Sequence, residues 1–265
     1  LEIQKRGGVN PSFGSHKMIL TSTQFTRNDL RALYQEASRL RRAVKRGEKF
    51  TVLNGKSVGM LFYEPSTRTH GSFVAGVQRL GGNVLEVQEN SSSIVKGETL
   101  EDTIRCLEQY VDCIVLRGRD GYCNRAAKVS KVPIINAGDG VGEHPTQALL
   151  DLFTIREERG TINGVTVTIV GDLKHGRTVH SLVKLLCLYN VRLRYVSSEE
   201  LRMPEQIMKY VSERGIEQSE HTELNDVIEK TDVLYVTRVQ QERFTDRDEY
   251  EKLKIKYLIT PQTLS

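Results

Sequence analysis

The 265-residue sequence contains no tryptophan, and aromatic residues make up only 6% of it, so the stacking platforms of a nucleic-acid groove are poorly provided for. The formal net charge of +4 is small because 38 Lys and Arg are interleaved with 34 Asp and Glu, a balance that suits a small anionic substrate better than a polyanion. No apolar run approaches the roughly eighteen residues of a spanning helix, so no membrane segment is expected. The four cysteines, Cys106, Cys113, Cys123 and Cys187, lack the paired spacing of a metal site. No charged-then-apolar leader opens the chain, and the cysteines are expected to pack as small apolar side chains in a reducing, cytoplasmic setting without disulfides or structural zinc.

What is present is an apolar content of 38%, enough for one large core or two medium ones, and the length favours two domains. After a Gly-rich start, Thr26-Arg-Asn-Asp29 offers a capping box to a helical stripe of Leu30, Leu33, Ala37, Leu40 and Val44. Strands are then predicted at 57–62, 83–87, 113–116 and 133–136, separated by helices at 67–80, 100–110 and 124–129. A long helix from Pro145 to about Glu158 leads to a second alternation: strand 165–170, helix 178–189, strand 192–196, helix 204–214 and strand 233–236. The pattern predicts an α/β protein of two doubly wound domains with parallel sheets, residues 1–150 and 151–265, joined near 145–160. No sequence repeat or low-complexity segment accompanies this symmetry.

The most informative stretch is Ser66-Thr-Arg-Thr-His-Gly-Ser-Phe73. It follows an apolar strand ended by Pro65 and precedes the helical spacing of Phe73, Val77 and Leu80, so the N–H groups of Ser66, Thr67, Arg68 and Thr69 face outward at a helix N-terminus. That is a phosphate cradle. The plainer alternative, in which Ser66 or Thr67 only caps the helix, requires one such residue rather than four. The loop Ser91 to Thr99 adds small hydroxyls, Ser92 among them, and Lys96, and Thr99 can cap the next helix with Asp102. Arg117 ends an apolar strand, where ligands of open sheets bind.

In Asn136-Ala-Gly-Asp-Gly-Val-Gly-Glu-His-Pro-Thr-Gln147, glycines permit close backbone approach and Pro145 suits a first helical turn. His144 is then expected at a helix start, where the dipole disfavours imidazolium, and should act as a neutral donor to a carbonyl oxygen rather than as a base. Gln147, one turn on, can address the same ligand. In the second half, Gly171-Asp-Leu-Lys-His-Gly-Arg-Thr178 nearly matches a nucleotide P-loop, but Arg177 stands where lysine is required and the intervening residues are bulky. Arg177 reads better as a planar clamp for a carboxylate, as does Arg238, with Gln240 two residues further on. Two such arginines suggest a dicarboxylate.

Ser66-Thr-Arg-Thr69, His144-Pro-Thr-Gln147, Gly171-Asp-Leu-Lys-His-Gly-Arg177 and Thr237-Arg-Val-Gln240 resemble the motifs of the aspartate carbamoyltransferases in order and spacing, from about Phe25 to the end. The stretch Val141 to Leu150 is similar to that domain of the eukaryotic multifunctional pyrimidine-synthesis protein. The resemblance implies transfer of the carbamoyl group from carbamoyl phosphate to L-aspartate, giving N-carbamoyl-L-aspartate and phosphate, with no metal or organic cofactor. It implies carbamoyl phosphate held by Ser66, Thr67, Arg68 and Thr69 with Arg117, His144 and Gln147 at its carbamoyl end, and aspartate held by Arg177, Arg238 and Gln240. It further implies a homotrimer with shared active sites, into which Ser92 and Lys96 reach from a neighbouring subunit, and a chain that can be fused to other pyrimidine-synthesis enzymes. Two departures stand out. Gly118-Arg119 replaces the family's His-Pro after Arg117, and the sequence stops at Ser265, ahead of the family's His-Pro-Leu/Met-Pro-Arg loop, so the expectation is either a truncated or incompletely represented polypeptide or a chain not fully active as it stands. Two other functions fit parts of the pattern: a carbamoyltransferase for another amine such as ornithine, and a non-catalytic domain of a larger assembly.

Overall fold

The computed structural model describes residues 18–88, 97–238, 257 and 259–260. Its frame is a pair of four-stranded, wholly parallel sheets. The first has the order β2-β1-β3-β4, from β1 (Ser57–Phe62), β2 (Asn83–Gln88), β3 (Cys113–Gly118) and β4 (Ile134–Asp139). The second has the order β7-β6-β5-β8, from β5 (Thr166–Val170), β6 (Arg192–Val196), β7 (Glu217–His221) and β8 (Val233–Val236). The α/β class with two doubly wound parallel sheets is therefore as expected from the sequence.

Helices cover both faces of the first sheet because its strands are apolar on both. Val58 and Met60 of β1 meet Val77 of α2 (Thr67–Arg79) on one face. Leu61, Ile114 and Leu116 meet Ile104 and Leu107 of α3 (Leu100–Leu107) and Ala126 of α4 (Tyr122–Val129) on the other. The second core joins β5 and β6 to α5 (Pro145–Arg159), α6 (Arg177–Leu186) and α7 (Glu205–Ser212). It also takes in Leu30 and Tyr34 of α1 (Arg27–Lys45), so the first helix in sequence packs on the second sheet's core. The capping box Thr26–Asp29 starts α1 as expected, each side chain receiving the other's backbone N–H.

β1, β6 and β8 have the predicted bounds, while several elements differ. β3 runs on through Gly118 and β4 through Asp139, because backbone pairing continues past the apolar residues as far as Gly118 opposite Asp139. α3 ends at Leu107 rather than Tyr110, α4 starts at Tyr122 after a left-handed Gly121, α6 covers 177–186 instead of 178–189, and α7 covers 205–212. β7 was not expected: its sequence, Glu-Gln-Ser-Glu-His, has no apolar alternation, and its place at the sheet edge is set by pairing with β6. Cys123 and Cys187 pack in the cores, whereas Cys106 is exposed on α3, its thiol directed at the Tyr110 hydroxyl.

Candidate active site

Each sheet reverses its winding once, between β1 and β3 and between β5 and β8, and the carboxyl ends at those two switch points are where open α/β sheets bind ligands. Ser66, Thr67, Arg68, Thr69, Arg117, Arg177 and Arg238 lie at those strand ends or on the helix starts that follow them, and His144 lies at the start of α5 behind β4. Ser92, Lys96 and Gln240 lie outside the described residues.

At the first switch point the chain leaves β1 through Tyr63, Glu64 and Pro65 and enters α2. Ser66 takes the cap position with extended backbone, and its side chain makes no cap hydrogen bond, so the hydroxyl is not spent on the helix. No acidic residue lies in the first turn of α2, leaving the positive end of the helix unneutralised beside Thr67, Arg68 and Thr69. Arg68 is exposed and forms no ion pair among the described residues. A cavity of about 400 Å³ opens beside them, lined in part by Phe62, Glu64, Ser66, Thr67 and His70.

Arg117 sits opposite Phe62 in the register of β1 and β3, and its Nε lies 3.3 Å from Glu64 Oε2. Arg177, the first residue of α6, crosses from the second unit: its Nη1 donates to Gly140 O and its Nη2 lies 3.4 Å from the same Glu64 oxygen. The two guanidiniums lie over Gly138, whose φ is +124° and at which a Cβ would stand 3.2 Å from Arg117 Nη1 and 3.4 Å from the Arg177 carbon. Only a glycine leaves that space. Burial and the Arg177 charge both push the Arg117 guanidinium towards losing its proton, and Glu64 opposes them.

His144 is the cap residue of α5, 5% exposed, with Pro145 at the first helical position. Burial first, and then the charges of Arg177 and Arg117, push its pKa down to about 3. The expected neutral imidazole is thus present, but with a cause the sequence does not display: burial beside two guanidiniums made neighbours by the fold. Its backbone N–H donates to Ser181 Oγ at 3.0 Å, and Ser181 donates to Glu143 Oε2 at 2.8 Å. Lys184 Nζ pairs with the other Glu143 oxygen at 2.5 Å. Burial alone would raise the Glu143 carboxyl, but Lys184, Ser181 and the Ser22 N–H outweigh it and hold it below the usual range. Gln147 gives its amide nitrogen to Asp151 Oδ1 at 2.8 Å.

At the second switch point Thr237 N donates to Val170 O at 2.9 Å, bringing the tip of β8 against that of β5. Gly171 makes this possible: at its φ of +121° a Cβ would lie 2.1 Å from Thr237 O. Arg238 follows, exposed at the mouth. The P-loop alternative for 171–178 fails because fully buried Asp172 sits inside the loop and takes the His175 N–H at 3.0 Å, a group a phosphate-winding loop would turn to its ligand. Among the described residues no group of three or more His, Cys, Asp or Glu is placed to hold a metal ion.

Sequence reasoning missed Glu64, Asp151 and Glu143. Glu64 carried a signal as an acid at the tip of an apolar strand ahead of Pro65, and Asp151 carried one as the i+4 neighbour of Gln147 on a predicted helix.

Two family models match the chain: "Aspartate/ornithine carbamoyltransferase, carbamoyl-P binding domain" over residues 17–157, and "Aspartate/ornithine carbamoyltransferase, Asp/Orn binding domain" over residues 163–265. The multifunctional protein pyr1-3 of Dictyostelium discoideum is 56% identical over 94% of this chain, which spans 11% of that protein's length. The aspartate carbamoyltransferase catalytic subunit of Methanocella arvoryzae is 49% identical over 94% of this chain and 81% of its own. Among solved structures, the aspartate transcarbamoylase of Trypanosoma cruzi in complex with carbamoyl phosphate and aspartate superposes with a TM-score of 0.88 at 41% identity, covering 93% of this chain and 81% of that one.

Proposed function

The chain belongs to the aspartate/ornithine carbamoyltransferase family, and on that premise we propose that it transfers the carbamoyl group of carbamoyl phosphate to L-aspartate, giving N-carbamoyl-L-aspartate and phosphate in pyrimidine synthesis. The observation that carries this reading is the meeting of Arg117, Arg177 and neutral His144 between two switch points, one fronted by the anion cradle of α2 and the other by Arg238. Residues 1–150 form the carbamoyl phosphate domain and residues 151–265 the aspartate domain.

In the reaction the aspartate nitrogen attacks the carbamoyl carbon, a C–N bond forms, the bond to the phosphate oxygen breaks, and the departing phosphate takes the amine proton. Thr69, Arg117 and His144 polarise the carbonyl, and His144 suits this because a neutral imidazole keeps an N–H to donate. Arg68 and Lys96 stabilise the leaving phosphate, with Ser66 and Thr67 completing its cradle. Gln147 addresses the carbamoyl amino group, while Arg177, Arg238 and Gln240 hold the two carboxylates of aspartate, which displace Gly140 O and Glu64 from Arg177. Catalysis is positioning and electrostatics within a preorganised site.

The working unit is a homotrimer in which Ser92 and Lys96 serve a neighbour's site, acting in the cytoplasm. Fusion to other pyrimidine-synthesis enzymes is supported by the small share of the multifunctional relative that this chain spans. Arg68→Ala in the full-length protein tests the reading: carbamoylation of aspartate should fall by a barrier on the order of 3 kcal/mol. Turnover near the parent rate would remove Arg68 from the mechanism. Offering ornithine in place of aspartate separates the other amine transferase, and calorimetry with a bisubstrate phosphonate separates a non-catalytic domain, which would bind none.

A further inference from the structure

Asp151 lies one helical turn beyond Gln147 on α5, and its two oxygens serve different units of the molecule. Oδ1 accepts from Gln147 Nε2 at 2.8 Å, and Oδ2 accepts from the Tyr235 hydroxyl at 3.0 Å. Tyr235 belongs to β8, opposite Ile169 of β5 and three residues ahead of Arg238. Among the described residues no cation pairs with Asp151, so its half-buried carboxylate is supported by neutral donors alone. Burial accordingly raises its pKa, and the two hydrogen bonds only partly offset this. A carboxylate so placed is a poor device for stability, since an apolar side chain of similar volume would avoid the desolvation.

We infer that Asp151 is a positioning residue that commits the nitrogen of the Gln147 amide, so that the amide presents its oxygen to the active site and selects a carbonyl donor bearing an N–H group. An amide has an acceptor end and a donor end; Asp151 takes one of the two Nε2 N–H groups and so fixes which way the amide is turned, leaving Oε1 as its acceptor for a ligand. A carbamoyl group meets that oxygen with its amino group, whereas an acetyl group meets it with a methyl and leaves it unsatisfied. Tyr235 holds the second carboxylate oxygen and keeps Asp151 turned towards Gln147, and through β8 the same contact ties the amide to the strand that leads to Arg238. The inference rests on the proposed transfer from carbamoyl phosphate.

The test uses the full-length protein, first shown to make N-carbamoyl-L-aspartate, so that failure of the reaction itself is recognised before any variant is read. Asp151→Leu should raise the KM for carbamoyl phosphate about tenfold while the inhibition constant of acetyl phosphate stays within about twofold of the parent. Asp151→Asn, which keeps an acceptor for Gln147, should return the KM to within about threefold. Equal weakening of both compounds, as from general disturbance of the site, or no change in either, overturns the inference. If Asp151→Leu does not fold, Tyr235→Phe carries the same test. It removes one donor and should give the same split at a few-fold size, and equal effects on the two compounds again overturn it.

Discussion

Arg177 and Glu64, 113 residues apart in sequence, meet across the two units with Nη2 3.4 Å from Oε2, on the same carboxylate oxygen that Arg117 approaches at 3.3 Å. One acid thus holds two guanidiniums side by side against their mutual repulsion. Glu64→Gln should lower the transfer rate about tenfold, because the unliganded site loses the charge that keeps the two arginines gathered until aspartate takes over Arg177. The melting temperature should move by only a few degrees, since a partly exposed pair contributes about 1 kcal/mol or less. Steady-state rates beside thermal denaturation check this, and a parent-like rate would deny Glu64 its role.

Gly171 and Thr237 make a second such contact, here between backbones. Gly171→Ala puts a methyl 2.1 Å from Thr237 O and must force the tips of β5 and β8 apart, carrying Arg238 with them. The KM for aspartate should rise about tenfold or more, while binding of carbamoyl phosphate at the first switch point changes little. Equal changes in both constants would count against separate substrate sides.

The low pKa of His144 has a defined sign in stability. Its folded value of about 3 lies below the value near 6.5 of an unfolded histidine. Above about pH 6.5 both states are neutral and the group contributes no slope; below it the unfolded chain takes a proton that the folded chain refuses, so stability falls with pH by up to about 1.4 kcal/mol per unit. Proton NMR should find the His144 ring resonances still neutral at pH 5, and His144→Asn should remove this share of the acid slope. A ring titrating above pH 6 would contradict the burial argument.

Lys184 and Glu143 clamp the histidine loop to α6. Glu143 has a lowered folded pKa, so its contribution is present above the unfolded value near 4.3 and is lost as pH falls through the folded one. Lys184→Met leaves that carboxylate buried without its cation and should destabilise the fold by about 3 kcal/mol at pH 7. At pH 5 the difference should narrow, because in the variant burial is opposed only by the Ser181 and Ser22 hydrogen bonds, so the Glu143 pKa moves up and the group takes a proton more readily. Urea titrations at the two pH values measure both effects.

Much of this architecture was legible in order of appearance. The bounds of β1, β6 and β8 follow from short apolar runs, and the cap of α1 from Thr26 and Asp29, because strand burial and helix capping are decided within a few residues of the chain. β7 was illegible for the converse reason: its polar residues form a strand only because β6 offers backbone partners.

The same division runs through the site. Composition and local pattern determined by themselves that Ser66-Thr-Arg-Thr69 would open α2 behind a strand, that His144 would start a helix, and that Arg117, Arg177 and Arg238 would stand near strand ends. Which of these meet was decided by tertiary structure. The pairing of Glu64 with both Arg117 and Arg177, the neutrality of His144 through burial beside them, and the hold of Asp151 on Tyr235 join residues from separate elements. Charge interaction and desolvation depend on distance in space, and sequence separation carries no information about that until the two sheets are packed.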